Sequence, residues 1–135
     1  MQTRLHNFWV DQLPAMVWAI LIFIASSIPA GKMPKLDILQ YDKLIHGGIF
    51  FIFGLLLYRL VALRSLPANY RWIRLAVVLL VVMLYGAMDE FHQSFVPGRT
   101  VDFFDFLADT IGGILSILLL AIYSIRRDFP IKPEK

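Results

Sequence analysis

The sequence predicts an all-α membrane protein built as a bundle of four transmembrane helices, and two observations predict it. Of its 135 residues, 59% are hydrophobic and 17% are charged, whereas a soluble domain is typically about 45–50% apolar and about 25% charged. The apolar residues are also gathered into four runs, and the polar chain between them is too short to cover them in water. We therefore expect a single membrane domain over residues 1–135.

The four apolar runs set the expected positions of the helices. A helix needs about 20 residues to cross a bilayer. The second and fourth runs reach this length, whereas the first and third are shorter, and we expect those two to continue into the interfacial residues Trp9, Trp72 and Phe91. The predicted spans are 13–28, 45–63, 73–88 and 103–125.

The distribution of charge predicts the orientation of the bundle. Nine of the 13 Lys and Arg residues lie in the N-terminal segment, the loop between the second and third spans, and the C-terminal tail. Because positive residues favour the cytoplasmic side, both termini are predicted to be cytoplasmic. Seven of the ten carboxylates then fall on the extracytoplasmic side. The positive residues form no continuous basic surface, which argues against a nucleic-acid partner.

Two short motifs of the outer loops occur twice. The segment SIPAGK at 27–32 is similar to SFVPGR at 94–99, and DKLIHGG at 42–48 is similar to DFLADTIGG at 105–113. A duplication of a two-helix hairpin would explain both matches, as in membrane folds built from internal repeats. Turn chemistry shared by the two loops would explain them equally well.

Helical spacing groups the ionisable residues of these loops. Residues four apart share a helix face, and this spacing pairs Asp42 with His46 and Asp89 with Gln93. Asp109 lies about two turns inside the fourth span. A carboxylate inside a bilayer costs about 2.5–3.5 kcal/mol on insertion scales and normally faces a partner in the bundle interior.

Two cations are available as partners for these carboxylates. They are Lys43 and Arg99. The planar guanidinium of arginine binds a carboxylate through two parallel hydrogen bonds, so that Arg99 is the partner we expect. We interpret Asp37 and Asp102 as solvated loop acids, and His92 as either an interfacial bystander or a ligand.

Three ordered blocks of this sequence resemble a known family. DKLIHGG, DEFHQSFVPGR and DFFDFLADTIGG are similar to conserved blocks of the VanZ-like family of small bacterial membrane proteins, over about Ser26 to Gly113. The family is named for a protein linked to low-level resistance to the glycopeptide antibiotic teicoplanin. The resemblance implies a role in the cell envelope and a multi-pass location in the bacterial cytoplasmic (inner) membrane, without a defined reaction.

The resemblance also implies a set of important positions. By motif match these are Asp42, Lys43, His46, Asp89, Glu90, Gln93, Pro97, Gly98, Arg99, Asp105 and Gly112. One departure from the family pattern is visible. The family commonly carries asparagine where this chain has Asp109, which adds a possible charge at that position.

We interpret these residues as one polar site on the extracytoplasmic face, with three kinds of role. The candidate catalytic residues are His46, Asp89, Glu90 and Arg99. The candidate substrate-binding residues are Lys43, Gln93, Arg99 and Asp109. The candidate metal ligands are Asp42, His46, Asp89 and Asp105.

A metal-dependent membrane enzyme is the first functional hypothesis for this site. Carboxylates suit Mg²⁺ or Mn²⁺, and Zn²⁺ becomes an alternative when an imidazole is a ligand. The absence of cysteine excludes a thiolate metal site. The substrate would be a lipid-linked or headgroup phosphate, such as a lipid-linked envelope precursor, gripped by the two cations.

Two further hypotheses involve no catalysis. In one, the site binds an envelope lipid or a glycopeptide. In the other, the polar residues form a network that only holds the helices together. Interhelical hydrogen bonds in membranes average only about 0.6 kcal/mol each, and ionisable residues inside spans are functional by default.

Overall fold

The computed structural model describes residues 12–32, 41–62 and 70–128. Four α-helices follow in order: α1 Leu13–Ser26, α2 Asp42–Ala62, α3 Arg71–Gln93 and α4 Phe103–Asp128, with a 3₁₀ turn at Ala30–Lys32 between α1 and α2. These three ranges contain no strand. The predicted all-α fold of four helices is therefore confirmed.

Three of the helices are long and apolar enough to cross a membrane. The qualifying segments are Asp42–Val61 in α2, Arg71–Gln93 in α3 and Phe103–Tyr123 in α4. Helix α1 has 14 residues, or about 21 Å at 1.5 Å per residue, which is shorter than the roughly 30 Å of a bilayer core. A fourth complete span therefore stays a prediction.

Helix α3 is longer than the predicted run 73–88. It extends over 23 residues and takes in Trp72 and Phe91, two of the three interfacial aromatics expected to complete the short runs. Trp9, the third, lies outside the described residues, as do Asp37 and most of the loop before α2.

The bundle has a small aromatic core and a large apolar outer surface. Phe50 and Phe53 of α2 pack with Val78 and Val82 of α3 and Ile22 of α1. Outside this core many apolar side chains are exposed, and three leucines are at least half exposed: Leu80, Leu84 and Leu118. A soluble monomer rarely exposes so extensive an apolar surface, so that this surface is suited to lipid.

Two side-chain hydrogen bonds attach the middle of α1 to the rest of the bundle. The Trp18 indole N–H donates to the carbonyl of Ile49 in α2 at 3.0 Å. The Tyr85 hydroxyl of α3 donates to the carbonyl of Ala19 at 2.6 Å. Both aromatic residues thus find a polar partner for an otherwise apolar side chain.

The closest helix contact joins α2 to α4 through glycines. A methyl group on Gly112 would overlap the backbone of Gly47, and one on Gly54 would overlap the side chain of Ser116. Small residues let membrane helices approach until their backbones touch. The first turns of α2 and α4, which carry Asp42 and Asp105, are held side by side as a result.

The polar residues gather at one end of the bundle, where α1 and α3 end and α2 and α4 begin. The two loops at this end touch each other, because the Ala30 N–H donates to the carbonyl of Pro97 at 3.3 Å. Gly98 has φ +77° and lies against Ala30. This left-handed conformation favours glycine and directs the chain toward α4. We call this region the polar end.

Candidate functional site

One group of charges at the polar end is organised by a lysine, and we call it the lysine cluster (Asp42, Lys43, Asp102 and Asp105). The Lys43 ammonium lies 2.5 Å from Asp102 Oδ2 and 3.7 Å from Asp42 Oδ2, and it also donates to Asp105. Asp105 is buried, whereas Lys43 and Asp102 are partly exposed. Lys43, in the first turn of α2, thus pairs with the carboxylates of Asp102 and Asp105 at the start of α4.

Asp102 lies in the loop before α4 and is partly exposed, as expected from the sequence, but it also has a structural role that was not expected. Its Oδ1 accepts the Phe104 N–H at 2.8 Å, so that Asp102 caps the N-terminus of α4. The hydrogen bond from Lys43 holds the pKa of the Asp102 carboxyl below its usual value. The position of Asp102 immediately before an apolar run is a helix-start signal that could have identified this role.

A second group lies deeper, and we call it the buried cluster (His46, Glu90 and Asp109). One residue comes from each of α2, α3 and α4. The His46 Nδ1–H donates to Asp109 Oδ1 at 3.0 Å. Glu90 Oε2 accepts the backbone N–H of Asp102 at 2.8 Å. Asp109 and Glu90 are only 1% and 4% exposed, so that this cluster is shielded from solvent.

Each carboxylate of the buried cluster keeps one oxygen without a partner. Within the described chain, Glu90 Oε1 and Asp109 Oδ2 are buried and take part in no hydrogen bond. Gly86 of α3 makes room for Asp109, because a methyl group there would approach Asp109 Oδ2 at 3.2 Å. Unsatisfied buried carboxylate oxygens are costly and call for an explanation.

Two sets of side chains have the spacing of metal ligands. In each set, one ligand atom per residue lies within 4.8 Å of the others. The first set, Asp42, His46 and Asp105, contains three of the four ligands predicted from the sequence. The second set is the buried cluster. Asp89, the fourth predicted ligand, belongs to neither set.

His46 connects the two clusters. Its Nε2 lies 4.0 Å from Asp42 Oδ1 and 4.0 Å from Asp105 Oδ2, on the opposite side of the ring from Asp109. Asp42 is the residue one turn earlier on α2, as the spacing of four predicted. The contacts to α4 depend on the close approach of Gly47 and Gly112, which no spacing within one helix reveals.

A cavity of about 120 Å³ opens beside His46. Its polar lining consists of Ser26, Asp42, His46, Asp89, Gln93 and Arg99. Gln93 and Asp89 are both buried, and the Gln93 amide donates to Asp89 Oδ2 at 2.9 Å. Of the candidate substrate-binding residues, Gln93 and Arg99 line this cavity, whereas Lys43 is engaged in the lysine cluster and Asp109 in the buried cluster.

Arg99 does not make the carboxylate pair expected from the sequence. Its Nε donates to the carbonyl of Ile28 at 3.3 Å, and no described carboxylate lies within 4.0 Å of its guanidinium. The turn at Gly98 sets Arg99 against the end of α1, while Lys43 directly faces α4. Lys43 therefore takes the partners that were predicted for Arg99.

An apolar groove of about 230 Å³ runs next to the polar cavity. Aromatic and methionine side chains line most of it: Phe23, Tyr85, Met88, Phe91, His92 and Phe95. Asp89 lines both the groove and the cavity. His92 stacks on Phe23 and shares a 2.9 Å hydrogen bond with Ser27, so that it joins α3 to α1.

The fold and this site define a class of protein: a small helical membrane protein whose ionisable residues converge on one end from α2, α3, α4 and the adjoining loops. A comparison with protein families identifies the class further, because the VanZ/LLP1 family matches residues 12–124. The chain therefore belongs to the VanZ/LLP1 family. The family resemblance drawn from the three sequence blocks is confirmed.

A relative extends this family beyond bacteria. The chain is 31% identical over 122 residues to the "Uncharacterized protein C11E3.10" of Schizosaccharomyces pombe, a match that covers 90% of this chain and 70% of the relative. The expectation of a strictly bacterial family was therefore too narrow. No solved structure matches the chain.

Proposed function

We propose that the polar end binds the phosphate headgroup of a membrane amphiphile, such as a lipid-linked envelope precursor, in a cation-dependent manner. Arg99 carries the proposal. It lines the polar cavity and, among the described residues, pairs with no carboxylate although several lie at the same end. A guanidinium in this condition is a ready partner for phosphate, which it binds in a forked geometry.

The groove beside the cavity supports an amphiphilic ligand over a free phosphate. Phe91 and Phe95 of its rim are about two-thirds or more exposed, at 68% and 71%. Asp89 belongs to both surfaces, so that a headgroup in the cavity and a chain in the groove would be continuous. An amphiphile already in the bilayer would approach along this exposed aromatic face.

The charge of the polar end explains why a cation is part of the proposal. Six described carboxylates lie here, namely Asp42, Asp89, Glu90, Asp102, Asp105 and Asp109, against Lys32, Lys43 and Arg99. An unaccompanied phosphate would meet the net negative charge of these groups, and a divalent cation would offset most of that charge. Metal ions are often the largest local charges in such sites.

The proposed setting is the bacterial cytoplasmic membrane, with the polar end on the extracytoplasmic side. The excess of positive residues in the opposite loops supports this orientation. If the site binds an envelope precursor, the protein would be linked in this way to glycopeptide resistance of the teicoplanin type. The alternative to a lipid ligand is that the site binds the glycopeptide antibiotic itself.

The test is a binding measurement on the full chain in lipid nanodiscs, with a polyprenyl phosphate as the probe and the matching polyprenol as the control. We expect the phosphate to bind at least tenfold more tightly, and Arg99→Gln to remove that preference. Lys32→Gln is the matched control, since Lys32 is an exposed cation in the other loop. Equal binding of polyprenol and polyprenyl phosphate would refute the proposal.

Hydrolysis of the same headgroup is the second candidate, and the contacts of His46 favour it. Its ring is held through Nδ1 by Asp109, while Nε2 faces Asp42 beside the cavity. An imidazole oriented by a carboxylate is typical of a general base. Release of inorganic phosphate and the free polyprenol from the bound probe by wild type, lost in His46→Gln, would distinguish hydrolysis from binding alone.

The structural-network hypothesis makes the opposite prediction for these variants. If the polar end only holds the helices together, the wild-type protein itself should not distinguish the two probes, and Arg99→Gln should lower the amount of folded protein in detergent. Size-exclusion profiles recorded beside the binding measurement separate the two outcomes.

A further inference from the structure

The buried cluster differs from every other group of charges in the described chain by its unsatisfied oxygens. Glu90 Oε1 and Asp109 Oδ2 lie within the same cluster and are shielded from solvent. Burying a carboxylate oxygen without a partner is costly, and a cation or a proton is the usual remedy. The nearest ammonium, that of Lys43, is already shared among the acids of the lysine cluster.

We propose that His46, Glu90 and Asp109 bind one divalent transition-metal ion. One imidazole nitrogen and two carboxylate oxygens form a donor set suited to Mn²⁺ or Zn²⁺, whereas Mg²⁺ prefers oxygen alone. Three protein ligands leave a coordination position for another group, as in catalytic zinc sites. The proposal deepens the proposed function, on which it rests for the role of the metal as phosphate partner.

The geometry is compatible with a metal at this point. The distance of 3.0 Å between His46 Nδ1 and Asp109 Oδ1 is near the separation of about 3.4 Å expected for two ligands at roughly 2.1 Å from a tetrahedral ion. The three ligands come from α2, α3 and α4. A metal bound here would therefore cross-link the three span-length helices.

The neighbouring set is a weaker metal site, although the sequence favoured it. Asp42, His46 and Asp105 have similar spacing, but the Lys43 ammonium already donates to Asp105 and lies 3.7 Å from Asp42. A metal would have to displace that ammonium or suffer its repulsion. No lysine or arginine is paired with Glu90 or Asp109 among the described residues.

Among the three ligands, Asp109 is the one whose depth argues most directly for a bound cation. The acid of this chain lies two turns inside α4 and is the most deeply buried of the three ligands at 1% exposed. A buried acid at this depth is expensive without a ligand.

The test is equilibrium binding of Mn²⁺ alone to the full chain in nanodiscs, with no phosphate probe present. We expect one ion per chain, with an affinity at least tenfold weaker in Glu90→Gln and in Asp109→Asn. Asp102→Asn is the matched control, because it removes one carboxylate from the lysine cluster and should change the affinity less than twofold. Equal loss in all three variants would mean diffuse attraction to an acidic surface and would overturn the proposal.

A measurement on the wild-type protein covers the case in which these variants do not fold. Pulsed electron paramagnetic resonance of bound Mn²⁺ should detect coupling to one imidazole nitrogen. Absence of that coupling, or absence of any bound ion, would mean that the cluster holds a proton or water only. Mn²⁺ binding that persists when polyprenyl phosphate fails to bind would leave the metal site standing and refute the proposed function alone.

Discussion

The two clusters at the polar end both bring carboxylates close together, but they differ in how the negative charge is balanced. In the lysine cluster, three carboxylates share one ammonium, and the pair formed by Lys43 and Asp102 remains partly in contact with solvent. In the buried cluster, Asp109 contacts an imidazole and Glu90 accepts a backbone N–H, and each carboxylate retains one unsatisfied oxygen. A flexible lysine can balance carboxylates at the exposed end of the bundle, whereas carboxylates in the interior call for a compact cation.

Both clusters depend on the contact between α2 and α4, so that breaking it should have the largest effect. In Gly112→Ala the new methyl group would overlap the backbone of Gly47. We expect the helices to separate at a cost of about 2–3 kcal/mol, as for overpacked cores. Thermal unfolding in detergent measures this cost. Gly48→Ala is the control, because a methyl group there has no atom within 4 Å, and equal destabilisation of both variants would contradict the glycine contact.

Removing the ammonium should convert the lysine cluster into an unsatisfied one. In Lys43→Met, the buried Asp105 loses its ion-pair partner. We expect a loss of about 1–3 kcal/mol at neutral pH, the usual cost of leaving a buried acceptor without its donor. Chemical or thermal unfolding in nanodiscs would measure it. Added Mn²⁺ should restore part of the stability, since Asp42, His46 and Asp105 could then share a metal.

Lys32→Met serves as the control for that change. It removes a positive charge from the exposed 3₁₀ turn at the same end of the bundle and should alter stability by only a few tenths of a kcal/mol. If Lys43→Met is as stable as Lys32→Met, Lys43 does not stabilise the lysine cluster, and the contrast drawn between the two clusters is wrong.

A smaller effect with a defined pH dependence is expected from Asp102→Asn, which retains a side chain able to cap α4. In the folded protein, the hydrogen bond from Lys43 lowers the pKa of Asp102. The unfolded chain has the ordinary value of about 3.9. The Asp102–Lys43 pair therefore stabilises the fold fully above about pH 4, and its contribution is lost as the pH falls through the lower folded pKa.

The measurement is the difference in Tm between wild type and Asp102→Asn across this pH range. We expect a constant advantage for wild type from about pH 7 to about pH 5 and a shrinking one below about pH 4. An advantage that grows on acidification would contradict the pairing of Asp102 with Lys43.

The smallest effect is expected away from both clusters, in Tyr85→Phe. The change removes the 2.6 Å hydrogen bond from the Tyr85 hydroxyl to the Ala19 carbonyl, and interhelical hydrogen bonds in membranes are worth about 0.6 kcal/mol on average. Stability should fall by roughly that amount, while Mn²⁺ affinity stays unchanged. Tyr70→Phe, at an exposed position before α3, should have no effect. A loss of Mn²⁺ binding in Tyr85→Phe would show that metal binding depends on contacts outside the buried cluster and would contradict this prediction.

The sequence predicted much of this architecture because its signals act within single helices. Apolar runs located the four helices, and the spacing of four placed His46 beside Asp42 on one face. The apolar run 73–88 is shorter than α3 because Arg71, Asp89, Glu90, His92 and Gln93 are polar, and only the interfacial residues Trp72 and Phe91 indicated that the helix continues. Hydropathy alone stops at such residues.

The partners of the acids could not be predicted, since they depend on distances between helices. Arg99 was the chemically better partner for a carboxylate, but the turn at Gly98 directs it toward Ile28. Lys43 reaches Asp105 because Gly47 and Gly112 bring α2 and α4 together. The candidate metal ligand Asp89 likewise contacts Gln93 of its own helix and lies outside the buried cluster.

The central claim, that the buried cluster is a metal site, is tested most directly by diffraction from crystals grown with Mn²⁺. Anomalous difference density collected on either side of the manganese absorption edge locates the ion without reference to side-chain interpretation. We expect one peak bonded to His46, Glu90 and Asp109, at about 2.1 Å from each ligand atom. A peak among Asp42, Lys43 and Asp105 instead, or no peak at the polar end, would contradict the account.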